Sequence, residues 1–337
     1  MFLLTGPYRS SFQQIFQSHS VKEATLNPAI MAIQHKSNGV LALEVSDEER
    51  SSQSPSAETV GAAVTILQRD GIVIIRNAVD IDALKCLNKV LLEKSEALAA
   101  QPGIHFNNDR SARNISQPPP YTVDLMFESV WANPFTAAIS AAILGPNPRV
   151  HFANGNTALG RASGRQTVHA DLGSRHLCFP FGIVANYYLI DTDETNGSTE
   201  VWVGTHRDTT IEDHDHSPGA VGGVSSIKPE LVEARRAVLP PVQPAIKQGD
   251  LVLRDLRLWH AGMPNKSETA RIMLAFGMFP WWYQSPLKLT LPLKSKALLE
   301  SWKRKHGLDF AAEFVNEEWP DPKFRATIDS MNPAIVY

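Results

Sequence analysis

Short β-rich runs dominate the sequence between residues 148 and 280. Each run is rich in β-branched, aromatic or other apolar residues, and turns containing Gly, Pro or Asn separate it from the next. The seven runs are 149–152, 166–171, 182–191, 200–203, 250–253, 258–262 and 270–279. Runs of this number and length predict an antiparallel sheet that closes on itself or packs as a sandwich. The pattern by itself does not separate one such fold from another.

Helical patterns surround these runs. Apolar residues at helical spacing lead to Asp70-Gly71, a typical helix stop, and the β-branched run 72–75 follows. Asp80 is a predicted N-cap for a long helix that ends at 101–103, and a further helix is predicted over 127–144. The tail from 293 returns to helical spacing with aromatic anchors. We therefore predict a mainly β protein with flanking helices, an α+β fold.

The composition fits one enlarged domain. Of the 337 residues, 43% are hydrophobic, enough to bury a substantial core. Residues 46–58 are polar and predict a linker, so the folded body is expected to begin near Thr59 and residues 1–57 to form a poorly ordered extension. We expect a single domain over 58–337, with helical support at 58–147, the β core at 148–285 and a C-terminal helical segment at 286–337.

Charge and cysteine content restrict the partners. The formal net charge is −3 and the basic residues are spread along the chain, so we expect a small-molecule substrate and no nucleic acid. No apolar run is long enough for a membrane span, and Cys86 and Cys178 are too few for a disulfide framework. We expect a cytoplasmic protein, with organelle import by residues 1–21 kept as an alternative. A homodimer is left open.

The run 166–171 contains His169-Ala170-Asp171. On a strand, residues two apart project from the same face, so this imidazole and this carboxylate could hold one cation. His260, in the run 258–262, would be the third ligand. Two histidines and one carboxylate leave coordination positions open, an arrangement associated with non-haem Fe(II) oxygenases. An isolated His-x-Asp is more often a surface or hydrogen-bonded pair, so the hypothesis needs a further residue.

Arg271 is that residue. It begins the apolar run 272–279, and a guanidinium at the mouth of an apolar strand must find an anion. A dicarboxylate co-substrate that chelates the metal at one end could supply the anion at its other end, through a bidentate pair. The alternative is a structural ion pair with an aspartate or glutamate of the chain.

Together these motifs resemble the phytanoyl-CoA dioxygenase family of iron and 2-oxoglutarate-dependent oxygenases. The resemblance covers about residues 58–285 and, around 196–206, is closest to the fungal secondary-metabolite members. The motifs that carry it are Gly71-Ile-Val-Ile-Ile-Arg-Asn77, Gln166-x-x-His169-x-Asp171, Asp191-x4-Asn196-Gly197-x6-Gly204-Thr205-His206, His260-Ala-Gly-x-Pro-Asn265 and Arg271. The resemblance implies a double-stranded β-helix, the jelly-roll or cupin-like core.

The resemblance also implies cofactors and roles. It implies Fe(II) held by the catalytic ligands His169, Asp171 and His260, with 2-oxoglutarate and O2 as co-substrates. It implies that Arg271 and Gln166 lie at the co-substrate, and Thr199 is a further candidate there. The alternatives are an ordinary polar residue at the start of a strand for Gln166 and an ordinary strand threonine for Thr199.

The implied reaction is oxidative decarboxylation of 2-oxoglutarate to succinate and CO2, coupled to hydroxylation or desaturation of an unactivated C–H bond. Asp171, where a halogenase would have a small residue, argues against halogenation. The loops 102–121 and 207–247 are long enough to shape a pocket, the first of them as a substrate lid, and the aromatic residues favour an apolar or polycyclic metabolite.

Two other classes of protein remain as alternatives. One is a non-catalytic jelly-roll protein that binds a metal or ligand. The other is a metal hydrolase, for which Glu200 is the candidate general base. Two further histidine motifs are assigned non-catalytic positions: His206 is expected to anchor a loop, and His214-Asp-His216 is expected to lie in a solvated loop.

Overall fold

The computed structural model describes residues 34–104, 106–107, 110–172, 175–216, 226–283, 285 and 288–316. Most of the predicted N-terminal extension and Trp319 lie outside these residues. The strands are β1 Gln34–Ser37, β2 Val40–Glu44, β3 Ile72–Arg76, β4 Asn114–Ser116, β5 Arg149–Ala158, β6 Ile183–Tyr188, β7 Glu200–Val201, β8 Leu251–Asp255, β9 His260–Ala261, β10 Arg271–Phe279, β11 Leu289–Pro292, β12 Asp309–Phe310 and β13 Ala312–Val315. The helices are α1 Asp47–Ser52, α2 Ala57–Asp70, α3 Ile81–Ala99, α4 Glu128–Trp131, α5 Pro134–Leu144, α6 Pro229–Val238 and α7 Lys296–His306.

One large sheet forms the framework of the domain. Its strand order is β1-β2-β3-β8-β6-β10-β5-β12, and β4 also pairs with β5. The pairs β2–β3 and β5–β12 are parallel, and the other pairs of this sheet are antiparallel. The central strands β6, β8 and β10 are almost entirely buried, so both faces of the sheet are covered.

A smaller layer of strands covers one face of this sheet. In it β7 pairs with β9, and isolated bridges join His169 to His260 and Val201 to Val242. An apolar cluster fills the space between the layers. Its buried members from the large sheet include Val40, Ala42, Ile72, Ile74, Tyr188, Val252 and Met273, and those from the smaller layer include Val201, Ile246 and Leu258. This two-layer, mainly β architecture with flanking helices confirms the predicted fold class.

The predicted helix, strand and helix that begin the folded body are confirmed. The helix α2 ends at Gly71, whose φ of 77° is the left-handed conformation that glycine adopts without strain. Strand β3 follows directly, and the side chain of Asp80 caps α3 by accepting from the N–H of Ala83.

The predicted single helix over 127–144 is wrong. The chain forms two helices, α4 and α5, with Asn133 between them. The side chain of Asn133 accepts from the N–H groups of Phe135 and Thr136, and Pro134 occupies the first turn, where its missing N–H costs nothing. These two residues start a new helix, and the apolar pattern hides the break.

Ordered structure begins before the predicted start near Thr59. Strand β2 pairs with β3, and its residues Val40, Ala42 and Leu43 are buried in the core. The segment expected to be a linker contains α1, and Ser46 and Glu49 form a capping box at the N-terminus of this helix. A strand of five residues gives little periodicity, which explains why the sequence pattern did not reveal β2.

Two further predictions differ from the structure. The run 166–171 is not a regular strand, because only His169 makes β-bridges, with Ser226 and His260. The predicted loop 102–121 contains the short strand β4, whose residues pair with the end of β5. Both differences bring polar residues close to β5 and β9, where the candidate site lies.

The inner face of the large sheet carries an unusual set of polar residues. Residues directly opposite on neighbouring strands share a face, so Met273, Tyr188 and Asn156 project together, as do Ala275 and Asn186. Asn186 and Tyr188 therefore project into the interior, as expected for a lined pocket.

Among the described residues, no helix is both long and apolar enough to span a bilayer.

Candidate active site

Two histidines meet through their main chains in the smaller layer. The N–H of His169 donates to the carbonyl of His260 at 2.9 Å, and the N–H of His260 donates to the carbonyl of His169 at 2.8 Å. The centroids of the two imidazole rings are 4.3 Å apart. Two runs that are distant in sequence thus bring together the two rings that the metal hypothesis requires.

A carbonyl two residues earlier orients each ring. His169 Nδ1 lies 2.8 Å from the carbonyl of Thr167, and His260 Nδ1 lies 3.0 Å from that of Leu258. A carbonyl only accepts, so each neutral ring carries its proton on Nδ1 and keeps a lone pair on Nε2. Burial, with a smaller contribution from His260, lowers the pKa of His169 to about 4, which keeps that ring neutral.

Asp171 presents one carboxylate oxygen to these rings. Its Oδ1 lies 3.5 Å from His260 Nε2 and 3.9 Å from His169 Nε2. Its Oδ2 accepts a hydrogen bond from Nη2 of Arg254. Burial alone would raise the pKa of Asp171, but the charge of Arg254 holds this pKa well below its usual range. The carboxylate is therefore ionised at neutral pH.

The three side chains fit a divalent metal. The ligand atoms of His169, Asp171 and His260 lie within 4.8 Å of one another. Two imidazoles that present Nε2 and one carboxylate suit a non-haem iron site with open positions. Each imidazole is already fixed by its Nδ1 contact, which is the usual support for a metal-bound histidine.

Arg271 is completely buried at the start of β10. Its Nη1 donates to the carbonyl of Asn156 at 3.1 Å and its Nη2 to that of Gly197 at 2.8 Å, while Nε has no hydrogen-bond partner within the described part of the chain. Among the described residues, no carboxylate pairs with it, and burial lowers the pKa of the guanidinium. The structural ion pair considered as an alternative is absent from this part of the chain.

Tyr188 and Thr199 lie beside this guanidinium. The guanidinium carbon of Arg271 is 5.7 Å from the centroid of the Tyr188 ring. The hydroxyls of Tyr188 and Thr199 are 3.1 Å apart. The turn at Gly197 thus supplies a carbonyl to Arg271 and places Thr199 close to it, so the candidate co-substrate residues Arg271 and Thr199 occupy one region.

Gln166 binds the main chain next to the second histidine. Its Oε1 accepts from the N–H of Gly262 at 2.7 Å, and its Nε2 lies 3.4 Å from the carbonyl of Asn107. A Cβ on Gly262 would lie 2.4 Å from Gln166 Oε1, so this approach requires glycine. The contact supports the position of His260, and the predicted contact with co-substrate stays a prediction.

Glu200 does not have the freedom that a general base needs. Arg165 binds it with two nitrogens, at 3.1 and 2.6 Å, and Trp202 Nε1 donates to it at 3.1 Å. These three donors engage both carboxylate oxygens. This arrangement weakens the hydrolase alternative.

The remaining histidine motifs gave one correct expectation and one wrong one. His206 is buried, and its Nε2 lies 3.2 Å from the carbonyl of Gln68, as expected for a residue that anchors a loop. His214, expected in a solvated loop, is completely buried, and it forms a β-bridge with Ile227. The acidic neighbours of His214 obscured this position, because a single bridge leaves no sequence pattern.

Sequence reasoning missed Arg254, the residue that contacts Asp171. Arg254 lies inside the buried strand β8, and it is 6% exposed. An arginine within a buried strand requires an anion, so Arg254 needs a negatively charged partner as Arg271 does. Arg254 is harder to recognise in the sequence than Arg271, because the charged residues Asp255 and Arg257 lie nearby and suggest a local charge cluster.

Comparisons with solved structures show proteins of similar fold. The crystal structure of EctD from S. alaskensis with 2-oxoglutarate and 5-hydroxyectoine is similar at 18% identity and a TM-score of 0.50, over 67% of this chain and 76% of that one. The epimerase SnoN, in complex with Fe3+, alpha ketoglutarate and nogalamycin RO, is similar at 15% identity and a TM-score of 0.50, over 67% and 85%. AviO1 from Streptomyces viridochromogenes Tue57 is similar at 17% identity and a TM-score of 0.50, over 68% and 99%.

These likenesses show the shared fold, and the sequence shows the family. Residues 67–273, more than half of the chain, match the family described as Phytanoyl-CoA dioxygenase (PhyH). This range contains the three ligand side chains and Arg271. The protein is therefore a member of the phytanoyl-CoA dioxygenase family.

Proposed function

We propose that the protein is an Fe(II)- and 2-oxoglutarate-dependent dioxygenase that oxidises an unactivated C–H bond of a small, apolar or polycyclic metabolite. Succinate and CO2 are the products of the co-substrate. Family membership and the cluster of His169, Asp171 and His260 support oxygenase activity. The complexes of EctD and SnoN contain 2-oxoglutarate, and SnoN contains iron, which supports the same cofactors for this chain.

The observation that carries the proposal is the state of Arg271. Burying a guanidinium completely costs several kcal/mol of desolvation free energy unless an anion compensates its charge. In the idealised limit the cost is about 20 kcal/mol. Two carbonyls and an aromatic ring supply only partial compensation. A dianionic co-substrate completes the pair, and it needs both a metal and a distant cation. A storage protein or a hydrolase has no use for this second cation.

Each residue then has a definite task. His169, Asp171 and His260 hold Fe(II), which supplies the redox chemistry that couples O2 and 2-oxoglutarate to oxidation of the substrate. Arg271 binds the distal carboxylate of 2-oxoglutarate with its fork of N–H donors. The paired hydroxyls of Tyr188 and Thr199 offer a further hydrogen bond to that carboxylate. Gln166 holds the main chain of Gly262, and through it the position of His260.

An apolar cluster next to Asp171 supports an apolar substrate. It includes Leu172, the residue that follows Asp171. The buried members of this cluster are Phe181, Val184, Leu256 and Phe279, and the partly buried members are Phe152, Leu172, Leu177, Ala275 and Tyr283. The aromatic side chains of this cluster offer the kind of apolar surface that flat or polycyclic molecules bind.

Two buried donors near this apolar cluster favour a substrate with an oxygen atom. Nη1 of Arg254 and Nδ2 of Asn186 have no hydrogen-bond partner among the described residues. The two side chains are 6% and 3% exposed, so an acceptor must come from a bound molecule or from water. A carbonyl or hydroxyl oxygen on an otherwise apolar metabolite satisfies this requirement.

Release of succinate tests the proposal. The protein is purified without oxygen, loaded with Fe(II) and 2-oxoglutarate, and exposed to air. We expect slow succinate formation even without substrate, and a loss of at least about 100-fold in His169→Ala and Arg271→Ala. Arg161→Met, at an exposed arginine paired with Glu268, is the matched control and should retain the parent rate. A binding protein releases no succinate, and a hydrolase is indifferent to the co-substrate.

The type of oxidation is settled by a second measurement. One similar structure is an epimerase and another contains 5-hydroxyectoine, so this fold supports more than one outcome. Metabolite extracts are compared after incubation with the parent and with His169→Ala, under 18O2. Hydroxylation adds one labelled oxygen to a metabolite, whereas desaturation removes two hydrogens and adds no label.

A further inference from the structure

Arg254 contacts Asp171, a proposed metal ligand, at Oδ2 and not at the oxygen nearest the two histidines. It lies on β8 opposite Ile72 of β3 and Val184 of β6, in the interior of the domain. Its Nη2 donates to Oδ2 of Asp171, and its Nε donates to Oδ1 of Asn186 at 3.2 Å. The guanidinium is therefore held at two points, and its direction is fixed relative to the carboxylate.

The two oxygens of Asp171 consequently have different surroundings. Oδ2 is engaged by Arg254, whereas Oδ1 is the oxygen within 3.9 Å of both histidine Nε2 atoms. A free carboxylate can bind a metal ion through one oxygen or through both. The contact with Arg254 takes up the second oxygen and permits only the first mode.

We propose that Arg254 is a positioning residue that keeps Asp171 a one-oxygen ligand, and so keeps a coordination position of the bound metal open for 2-oxoglutarate. The inference rests on the proposed function. A two-oxygen aspartate would occupy an additional position and compete with the chelating end of the co-substrate. Arg254 thus acts on co-substrate binding without touching the co-substrate.

Electrostatics gives this role a recognisable signature. The positive charge of Arg254 repels a divalent cation at the site, so its removal does not weaken metal binding through charge. Its removal also frees Oδ2 of Asp171, which adds a metal–oxygen contact. Loss of Arg254 should therefore leave metal affinity equal or higher while co-substrate affinity falls. A residue with only a structural role would lower both affinities together.

Two substitutions separate these cases. Arg254→Met removes every donor at similar length. Arg254→Lys keeps a cation that can reach Asp171, but an ammonium lacks the planar fork that also bonds Asn186. Arg161→Met is the control, because Arg161 is exposed and pairs with Glu268, an exposed carboxylate outside the ligand cluster. Thermal unfolding establishes that each protein is folded before binding is measured.

Calorimetry with Co(II), followed by 2-oxoglutarate on the Co(II)-loaded protein, provides the readouts. For Arg254→Met we expect Co(II) affinity within threefold of the parent or tighter, and 2-oxoglutarate affinity at least about tenfold weaker. The visible spectrum of bound Co(II) should change, and a crystal structure should show both Asp171 oxygens on the metal. Arg254→Lys should fall between the parent and Arg254→Met, and Arg161→Met should match the parent.

The outcomes distinguish this inference from the proposed function. If the parent binds Co(II) but no 2-oxoglutarate, the proposed function fails. If the parent binds both, the inference is overturned when Arg254→Met binds 2-oxoglutarate as the parent does, or when both of its affinities fall in parallel. Should Arg254→Met not fold, the same comparison is made with Arg254→Lys, for which unchanged co-substrate affinity and an unchanged Co(II) spectrum overturn the inference.

Discussion

Arg257 and Arg271 are both almost completely buried, yet their surroundings differ. Arg257 binds Asp255 through Nε and Nη2, at 2.9 and 2.8 Å, so its charge is neutralised within the chain. Arg271 has two carbonyls and a ring, and among the described residues no acid pairs with it. Arg257 therefore belongs to a complete ion pair, whereas Arg271 has no anionic partner among the described residues. The difference locates the missing anion, which we assign to the co-substrate.

The largest effect on stability should come from Arg257. Arg257→Met leaves the buried carboxylate of Asp255 without its counter-charge, which costs about 3–5 kcal/mol of unfolding free energy. Arg271→Met removes a charge with no acidic partner and should be neutral or stabilising. Chemical denaturation of the metal-free proteins measures both. Equal destabilisation by the two substitutions would remove the distinction between the two arginines.

The largest effect on binding should come from Arg271. In Arg271→Met, the Kd for 2-oxoglutarate on the metal-loaded protein should rise at least about 100-fold, because a buried charge pair is lost. 2-Oxovalerate, which lacks the distal carboxylate, is the matched ligand. The parent should strongly prefer 2-oxoglutarate to 2-oxovalerate, and Arg271→Met should not. A preference that survives the substitution would place the distal carboxylate elsewhere.

Glu49 shows that a buried charge can also be satisfied without a counter-ion. Its carboxylate accepts from the N–H groups of Ser56 at 2.8 Å and Ser46 at 3.1 Å. Burial opposes ionisation, but these hydrogen bonds, chiefly from Ser56, lower its pKa from 4.5 to about 2. The depressed pKa adds stability above about pH 4.5, and this stability is lost as the pH falls towards 2.

Glu49→Gln should therefore cost about 2 kcal/mol at neutral pH, with the difference from the parent shrinking between about pH 4.5 and pH 2.5. Denaturation at several pH values measures the difference, and Glu48→Gln, at the exposed neighbouring residue, is the control. A difference independent of pH would show that Glu49 contributes packing and not charge.

The smallest effect should come from the hydroxyls beside Arg271. Tyr188→Phe keeps the ring next to the guanidinium but removes the hydroxyl that bonds Thr199. We expect a three- to tenfold weaker Kd for 2-oxoglutarate, about 1 kcal/mol, and a similar loss in Thr199→Val. The double substitution should cost little more than either alone, since the two hydroxyls act as a unit. Additive losses would mean that they act separately.

The ligand residues could be predicted because their chemistry is restrictive. Few arrangements require two histidines, one aspartate and a later arginine in this order, and the family motifs added the expected partners. Arg271 was predicted for the physical reason that the structure supports, namely a guanidinium without an anion. The fold class followed from the spacing of the β-rich runs, because seven short runs with turns between them leave few alternatives.

Other features depended on contacts that leave no local pattern. Isolated bridges from His169 to Ser226 and to His260 replace the predicted strand over 166–171. The burial of β2 depends on its pairing with β3, from which the two helices α1 and α2 separate it in the sequence, and the polar segment 46–58 concealed this pairing. The contact between Arg254 and Asp171 depends on the fold, which brings together two residues that are distant in sequence. Pairing between distant segments is a property of the tertiary structure, so periodicity could not supply these features.

The reciprocal hydrogen bonds between His169 and His260 have a consequence for how the protein acquires its ion. The main chain and the Nδ1 contacts hold the two imidazoles, so their positions depend on groups of the protein itself. A site of two imidazoles and one carboxylate ranks divalent ions by their intrinsic affinity, in which copper and nickel surpass iron. Correct loading therefore depends on the supply of ions in the surroundings, and recombinant protein should carry whichever competing ion its growth medium provides.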